Sequence, residues 1–174
     1  MAKLIIGMGL PGAGKSTLLK EFCDKYDYDY IRVDDIRKEF GLTSAQASTE
    51  EVWNDIRSRT LDGYWAGRTV VVDATFLGDA RKKFIDFARA NGVEKIQGLL
   101  VDTPEEIAWI RNQSREDKTS RELFEDRLSN LKNFPPEITD GLDSLFVLNE
   151  HGELLKAELP GELKREFKPK QPFS

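Results

Sequence analysis

Histidine and cysteine are almost missing from this chain, which holds one of each in 174 residues. A single Cys23 cannot close an intramolecular disulfide, so a disulfide framework is excluded and a reducing cytoplasm is the expected compartment. Cys23 falls in a helical pattern and reads as a small core residue rather than a nucleophile. His151 lies beside Gly152 in an expected hairpin turn and reads as solvated, not catalytic. Long apolar runs are lacking too: none approaches the ~20 residues of a membrane span. The first such run leads into a glycine-rich loop, which argues against a signal peptide. An excess of positive charge is also absent, since 31 Asp and Glu against 26 Lys and Arg leave a net charge of −5. That excludes broad, charge-driven coating of nucleic acid but leaves room for a local basic pocket that grips the end of a strand. There is no internal repeat and no low-complexity segment. The remaining composition, 39% hydrophobic and 33% charged, is that of a globular protein. The length fits one domain over residues 1–160, followed by a basic, loosely ordered tail over 161–174.

What the sequence does have is Gly9-Leu10-Pro11-Gly12-Ala13-Gly14-Lys15-Ser16. This matches G-x-x-x-x-G-K-[ST], the phosphate-binding P-loop. The apolar run Leu4 to Met8 before it reads as a buried parallel strand, and Lys15 to about Tyr26 after it as a helix, the context the motif requires. Gly12 and Gly14 let the backbone curl so that successive N–H groups face phosphate oxygens, and the helix adds the positive end of its dipole. Lys15 brings a mobile cation to the β- and γ-phosphates, and the Ser16 hydroxyl is placed to ligate Mg²⁺. Gly9, Gly12, Ala13, Gly14, Lys15, Ser16 and Thr17 are therefore the expected nucleotide-binding residues, with ATP and Mg²⁺ as cofactors.

Downstream, strand and helix patterns alternate. Tyr28 to Val33 reads as a strand ending at Asp34-Asp35, followed by a short helix from Ile36 to Phe40. Ser48-x-x-Glu51 is a capping-box pattern opening a core helix that takes in Trp53 and Trp65 and ends near Gly67. Thr69 to Val72 is a β-branched strand ending at Asp73-Ala74-Thr75-Phe76. It is followed by a helix over Ala80 to Ala90 with Phe84 and Phe87 inward and Arg81, Lys82 and Lys83 outward. Ile96 to Val101 is another strand. Thr103 then caps a helix that reaches Arg111, a polar stretch runs to Thr119, and Thr119 opens a further helix ending before Pro135. Leu145 to Leu148 and Leu154 to Ala157 read as a final hairpin. The alternation predicts an α/β fold of the P-loop NTPase/kinase type, a parallel sheet with helices on both faces.

In such a sheet ligands sit beyond the carboxyl ends of the strands, where Asp34, Arg37, Asp73, Thr75 and Phe76 fall. Asp34 could accept the proton of an acceptor hydroxyl while Arg37, three residues on, holds a phosphate; a helix cap with an intrahelical ion pair fits the same spacing. Apolar strand then Asp73 is a Walker B pattern, and Asp73 joins Ser16 as a candidate metal ligand. Phe76 could stack on a base or fill the core. Arg111 and Arg115 are four apart and share a face if the helix persists; they suit either a lid, at about 111–119, that offsets transition-state charge, or a solvated basic helix end.

The series Gly9 to Thr17, Arg32-Val33-Asp34-Asp35-Ile36-Arg37, Val72-Asp73-Ala74-Thr75-Phe76 with Arg81, and Arg111-Asn112-Gln113-Ser114-Arg115 resembles the P-loop 5′-hydroxyl polynucleotide kinase family. The likeness is in particular to the kinase half of its phage end-healing member, and it covers residues 3 to 135. The resemblance implies an ATP-dependent transfer to the 5′-OH end of DNA or RNA, with a nucleic-acid end as partner. It implies Asp34 as general base, Arg37 as clamp on the acceptor's 3′-phosphate, Lys15 and Ser16 on ATP and Mg²⁺, and Asp73 and Thr75 near the acceptor. Phe76 and Arg81 join them on the acceptor side, and Arg111 and Arg115 lie in the lid, with Arg115 counted as catalytic beside Asp34 and Lys15. Two departures stand out. The family's best-known members carry a second, phosphatase domain, which this chain is too short to hold, and the Asp-Ala-Thr-Phe segment does not end in Asn. A hydroxymethyl group on a modified base, a nucleoside or a small metabolite remains an alternative acceptor. A nucleotide switch is the alternative outside the kinases, against which Asp34, Arg37 and the two lid arginines argue together.

Overall fold

The computed structural model describes residues 1–43, 46–161 and the backbone of 165–166. Five strands run parallel: β1 (Leu4–Met8), β2 (Asp29–Arg32), β3 (Val70–Asp73), β4 (Ile96–Val101) and β5 (Ser144–Leu148). Two more, β6 (Leu154–Glu158) and β7 (Arg165–Glu166), add antiparallel at one edge, giving the order β2-β3-β1-β4-β5-β6-β7. The β-branched and apolar runs of β1 and β3 are buried at every position, as the central strands of a sheet covered on both faces must be. Among the described residues six α-helices cover it: α1 (Lys15–Tyr26), α2 (Val33–Glu39), α3 (Glu50–Trp65), α4 (Gly78–Ala90), α5 (Glu105–Gln113) and α6 (Arg121–Asn133).

Alternation along the strands decides which helix meets which face. Leu4, Ile6, Val70 and Val72 pack with Ile36 of α2, Val52 and Ile56 of α3 and Phe84 and Ile85 of α4. Ile5 and Val71 turn the other way, onto Leu19 and Cys23 of α1. Cys23 is thus a core residue as expected, and burial pushes its thiol up to about 11, so it stays protonated. A third cluster joins Leu10 and Ala13 of the P-loop to Val101, Ala108 of α5 and Phe124 of α6. The registers pair Gly7 with Asp73 and Arg32 with Asp73, so β1, β2 and β3 end side by side. This alignment brings the P-loop, Asp34 and the segment after β3 to one edge of the sheet.

Several boundaries differ from the sequence expectations. The helix α2 begins at Val33, so Asp34 lies in its first turn. Thr49, not Ser48, caps α3, its side chain accepting from the Val52 N–H at 3.4 Å. Ser120, not Thr119, caps α6. In each case two hydroxyl residues are adjacent, and the one that caps is the second, which lacks a Glu three residues on; the chain path, not the capping-box spacing, decides. Thr119 is held instead by Asn112, whose buried side-chain amide donates to the Thr119 carbonyl at 2.8 Å and accepts its N–H at 3.0 Å. Thr103 caps nothing: its hydroxyl donates to the Ala13 carbonyl at 2.7 Å and pins the P-loop from below. Trp65 is 64% exposed rather than core. The expectation of a loose tail over 161–174 falls outside the described residues, apart from Gly161 and the two residues of β7.

Arg81, expected to point outward, is 1% exposed. Its guanidinium pairs with the buried Asp140 at 2.8 Å and donates to the carbonyls of Phe76 at 3.2 Å, Phe134 at 3.0 Å and Pro135 at 3.2 Å. Of those partners Asp140, Phe134 and Pro135 come from distant segments, which no helical spacing can reveal. Removing one member of a buried ion pair strands the other charge, so Arg81→Ala should lower the free energy of unfolding by about 3–5 kcal/mol in urea melts. A loss below about 1 kcal/mol would mean that solvent screens the pair.

Candidate active site

The P-loop wraps one end of a cavity of about 610 Å³, a volume typical of small-ligand sites. Gly12 and Gly14 both have positive φ, 81° and 87°, which allows the loop to turn into α1. Gly14 occupies the N-cap of α1 with no side-chain cap, leaving the first-turn N–H groups directed at the loop. Gly12, Ala13, Gly14, Lys15, Ser16 and Thr17 all line the cavity, whereas Gly9 lies beneath the loop at the end of β1 and does not. Gly12 has a second reason to be glycine: a Cβ there would stand 2.2 Å from the Ala108 carbonyl oxygen and 2.7 Å from the Asn112 nitrogen. The backbone of α5 therefore rests directly on the loop. Arg111 reaches over Gly14, its Nη1 lying 3.2 Å from where a Cβ would be.

Behind the loop, Lys15 Nζ pairs with Asp73 Oδ1 at 2.7 Å, and Asp73 is nearly fully buried. Burial pushes the Asp73 carboxyl up, but the Lys15 ammonium, with hydroxyl bonds from Tyr30 and Ser16, outweighs this and holds it below the usual carboxylate range. Tyr30 moves the other way: burial first, then the Asp73 charge, raises its phenol well above the usual range, so it remains a donor. Ser16 also accepts a bond from Arg32 Nε at 3.3 Å. Mg²⁺ takes hard oxygen ligands, with phosphate and water completing its shell. The Ser16 hydroxyl and Asp73 carboxylate, adjacent and beside the loop, are such donors, so these residues fit the ion.

Asp34 projects into the same cavity and is 36% exposed at its side chain. Three guanidiniums surround it: Arg37 at 3.5 Å, Arg32 at 3.7 Å and Arg115 at 3.7 Å. The helix α5 ends at Gln113, so Arg115 lies beyond it and does not share its face with Arg111; its contact with Asp34 ties the 112–119 segment to the end of β2. The Asp34–Arg37 ion pair is present within α2 and faces the cleft, but Asp34 lies in the first turn and is not the helix cap, a position that Arg32 takes. Arg37 also braces the wall of the cleft, because its Nη2 donates to the carbonyls of Thr43, at 2.7 Å, and Gln46. Thr75 lines the cavity. Phe76 touches the cavity but is 2% exposed, with its ring 5.3 Å from Phe84 and 6.1 Å from Trp53, so the core reading holds. Its φ of 50°, unusual for a residue with a side chain, turns the chain sharply after β3, and Arg81 braces the turn through the Phe76 carbonyl. Arg81 itself does not line the cavity, unlike the acceptor-side expectation for it, and acts on the cleft only through the Phe76 turn.

Three features of the cleft were not visible in the sequence. Asn112 clips the 112–119 segment, Trp53 forms a wall of the cavity, and Arg127 of α6 faces into it. Arg127 carries no sequence signal, being one of several charges on an amphipathic helix. With it, six cations line the cavity (Lys15, Arg32, Arg37, Arg111, Arg115 and Arg127) against two carboxylates, Asp34 and Asp73. A chain of net charge −5 thus has a strongly cationic cleft.

The sequence matches the family described as AAA domain over residues 4–134, three quarters of the chain. The chain belongs to the AAA domain family. No curated protein matches it in sequence. Among solved structures it is similar to a sugar kinase from Janibacter sp. HTCC2649, at 21% identity, TM-score 0.63 and 87% coverage of each chain. It is also similar to a gluconokinase from Sinorhizobium meliloti 1021, at 16% identity and TM-score 0.56, covering 85% of this chain and 82% of that one. A third likeness is to a chain of the Pnkp1/Rnl/Hen1 RNA repair complex, at 21% identity and TM-score 0.64, covering 76% of this chain and 45% of that one. The fold is that of the P-loop kinases. No helix among the described residues is long and apolar enough to cross a membrane.

The Lys15–Asp73 pair gives Lys15 a structural role beside its expected one. A carboxyl held below its unfolded value adds stability above that value, which is lost as pH falls through the folded one. In Lys15→Ala the buried Asp73 has no ammonium partner, so its carboxyl rises. At pH 7 the variant should be less stable by about 1.5–3 kcal/mol. The deficit should shrink towards pH 4 as Asp73 takes up a proton, and chemical denaturation at both pH values measures it. A deficit that does not depend on pH would mean that Lys15 is not what neutralises Asp73.

Proposed function

We propose that this protein is an ATP-dependent kinase that transfers a γ-phosphoryl group to the 5′-hydroxyl end of DNA or RNA. The observation that carries this reading is the place of Asp34. Its carboxylate stands in the cavity that the P-loop faces, between the lid's Arg115 and Arg37. The P-loop amides and Lys15 cradle the donor phosphates, and Ser16 and Asp73 would hold Mg²⁺, which offsets phosphate charge when bound. Asp34 takes the proton of the acceptor hydroxyl as it attacks the γ-phosphorus in line with the leaving oxygen. Arg111 above the loop and Arg115 beside Asp34 face the charge that develops on the transferring group.

The acceptor compartment beyond Asp34 has a cationic wall at Arg37 and an aromatic wall at Trp53. A terminal nucleotide offers a phosphate to one and a base to the other, and the likeness to the RNA repair chain agrees with this choice. Gln46, Ala47 and Ser48 close the compartment, a feature that also suits a small hydroxy acid, the second reading and one consistent with the gluconokinase likeness.

Asp34→Asn keeps the shape but cannot accept a proton, so turnover should fall by about 10²–10⁴-fold while ATP binding persists. Labelled ATP with 5′-OH oligonucleotides, nucleosides and gluconate as acceptors measures this, and undiminished transfer would move the base elsewhere. Arg115→Ala should lower kcat more than it raises the ATP KM, because its charge acts on the transition state. A change confined to KM would assign Arg115 to ground-state binding.

A further inference from the structure

Three guanidiniums of the cavity lie outside the 111–119 segment: Arg32, which is engaged by Asp34, Asp35 and Ser16, and Arg37 and Arg127, which are not equivalent. In Arg37 one terminal nitrogen is engaged by the Thr43 and Gln46 carbonyls and the other faces Asp34, leaving Nε buried and without a hydrogen-bond partner among the described residues. Arg127 makes one hydrogen bond, from Nη1 to Thr119 Oγ1 at 3.3 Å, and no ion pair among the described residues. Thr119 is 2% exposed and clipped on both backbone groups by Asn112, so the group that steadies Arg127 is itself fixed. Arg127 lines the cavity, and its guanidinium lies below the usual arginine range because of burial and then of Arg37 and Arg115, against the opposite pull of Asp34. Among the described residues no carboxylate is in ion-pair contact with Arg127, and Asp34 and Asp126 act on it only at longer range, so an incoming anion supplies the direct counter-charge.

We infer that Arg127 is the principal contact for an oxyanion on the acceptor, with Arg37 holding the wall of the compartment and contributing only its remaining donor. The ligand class is an acceptor that carries a phosphate or carboxylate near its reacting hydroxyl. This rests on the kinase reading of the same site and makes it more specific: a neutral acceptor leaves Arg127 without a partner. Arg127 is then an acceptor-binding residue supplied by α6, a helix outside every motif of the cleft.

The test compares adenosine 3′-monophosphate, adenosine and gluconate as acceptors for the wild type, Arg127→Ala and Arg127→Lys. Arg127→Ala should lose about ten- to a hundredfold in kcat/KM on the acceptor that carries the anion, mostly through the acceptor KM, and change little on adenosine. Arg127→Lys should recover part of the loss, since it restores charge without the planar fork. A selective loss on adenosine 3′-monophosphate identifies the anion as phosphate, and one on gluconate as carboxylate. An equal loss on adenosine, or a rise in the ATP KM, would assign Arg127 to the donor and overturn the inference. If the wild type phosphorylates none of the three, the nucleotide acceptor reading fails, and a second measurement decides Arg127. Inorganic phosphate and gluconate are titrated calorimetrically into protein whose P-loop is filled with Mg²⁺ and a non-hydrolysable ATP analogue. Binding to the wild type that is lost in Arg127→Ala supports the inference. No binding to the wild type, or unchanged binding in the variant, overturns it.

Discussion

The P-loop and α5, the helix that carries Arg111, meet backbone to backbone at Gly12, and the geometry of the cleft depends on that contact. Any side chain there would drive the loop off the Ala108 carbonyl and the Asn112 amide. Because α5 sits this close, Arg111 lies over Gly14 and the segment after it turns back so that Arg115 reaches Asp34. Asn112 makes the return path definite by closing the 112–119 segment through two hydrogen bonds to Thr119. The loop and α5 are thereby joined backbone to backbone, while the Asn112 and Arg115 side chains carry the connection on to Thr119 and Asp34.

Electrostatics divides the molecule into a mildly acidic surface and a cationic interior cleft. The overall charge of −5 coexists with six cations and two carboxylates around one cavity. Those two carboxylates differ in setting. Asp73 is enclosed and neutralised by Lys15, with Tyr30 and Ser16 as hydroxyl donors. Asp34 is partly open and contacted by guanidiniums that also face the cavity. The enclosed one suits a fixed role beside the phosphates, and the open one a group that meets solvent and substrate. Field lines concentrated in such a cleft favour anionic ligands despite repulsion from the rest of the surface.

Much of the donor side was legible in the sequence because its signals are local. A glycine-rich turn between an apolar strand and a helix is specified within sixteen residues, and the cavity is built on it. The apolar runs of β1, β3 and β4 marked the strands, and the rule that ligands lie beyond their carboxyl ends placed Asp34, Arg37, Asp73 and Thr75 at one edge, where they are found. Arg81 was misplaced for the opposite reason. Helical spacing tells which residues share a face of α4, but Asp140 and the Phe134 and Pro135 carbonyls come from segments more than fifty residues away in the chain. A charge read as solvated is buried once those partners supply its hydrogen bonds.

The sequence by itself determined the phosphate-binding turn, the α/β alternation and the identity of the strand-end residues, since each follows from neighbours within a few positions. The tertiary structure alone decided which hydroxyl of each adjacent pair caps a helix, that Thr103 pins the P-loop, that Trp53 walls the cleft and that Arg127 enters it. The physical reason is the same in every case. A polar or aromatic side chain takes its role from what stands opposite it after packing, and spacing along the chain carries no record of what that will be.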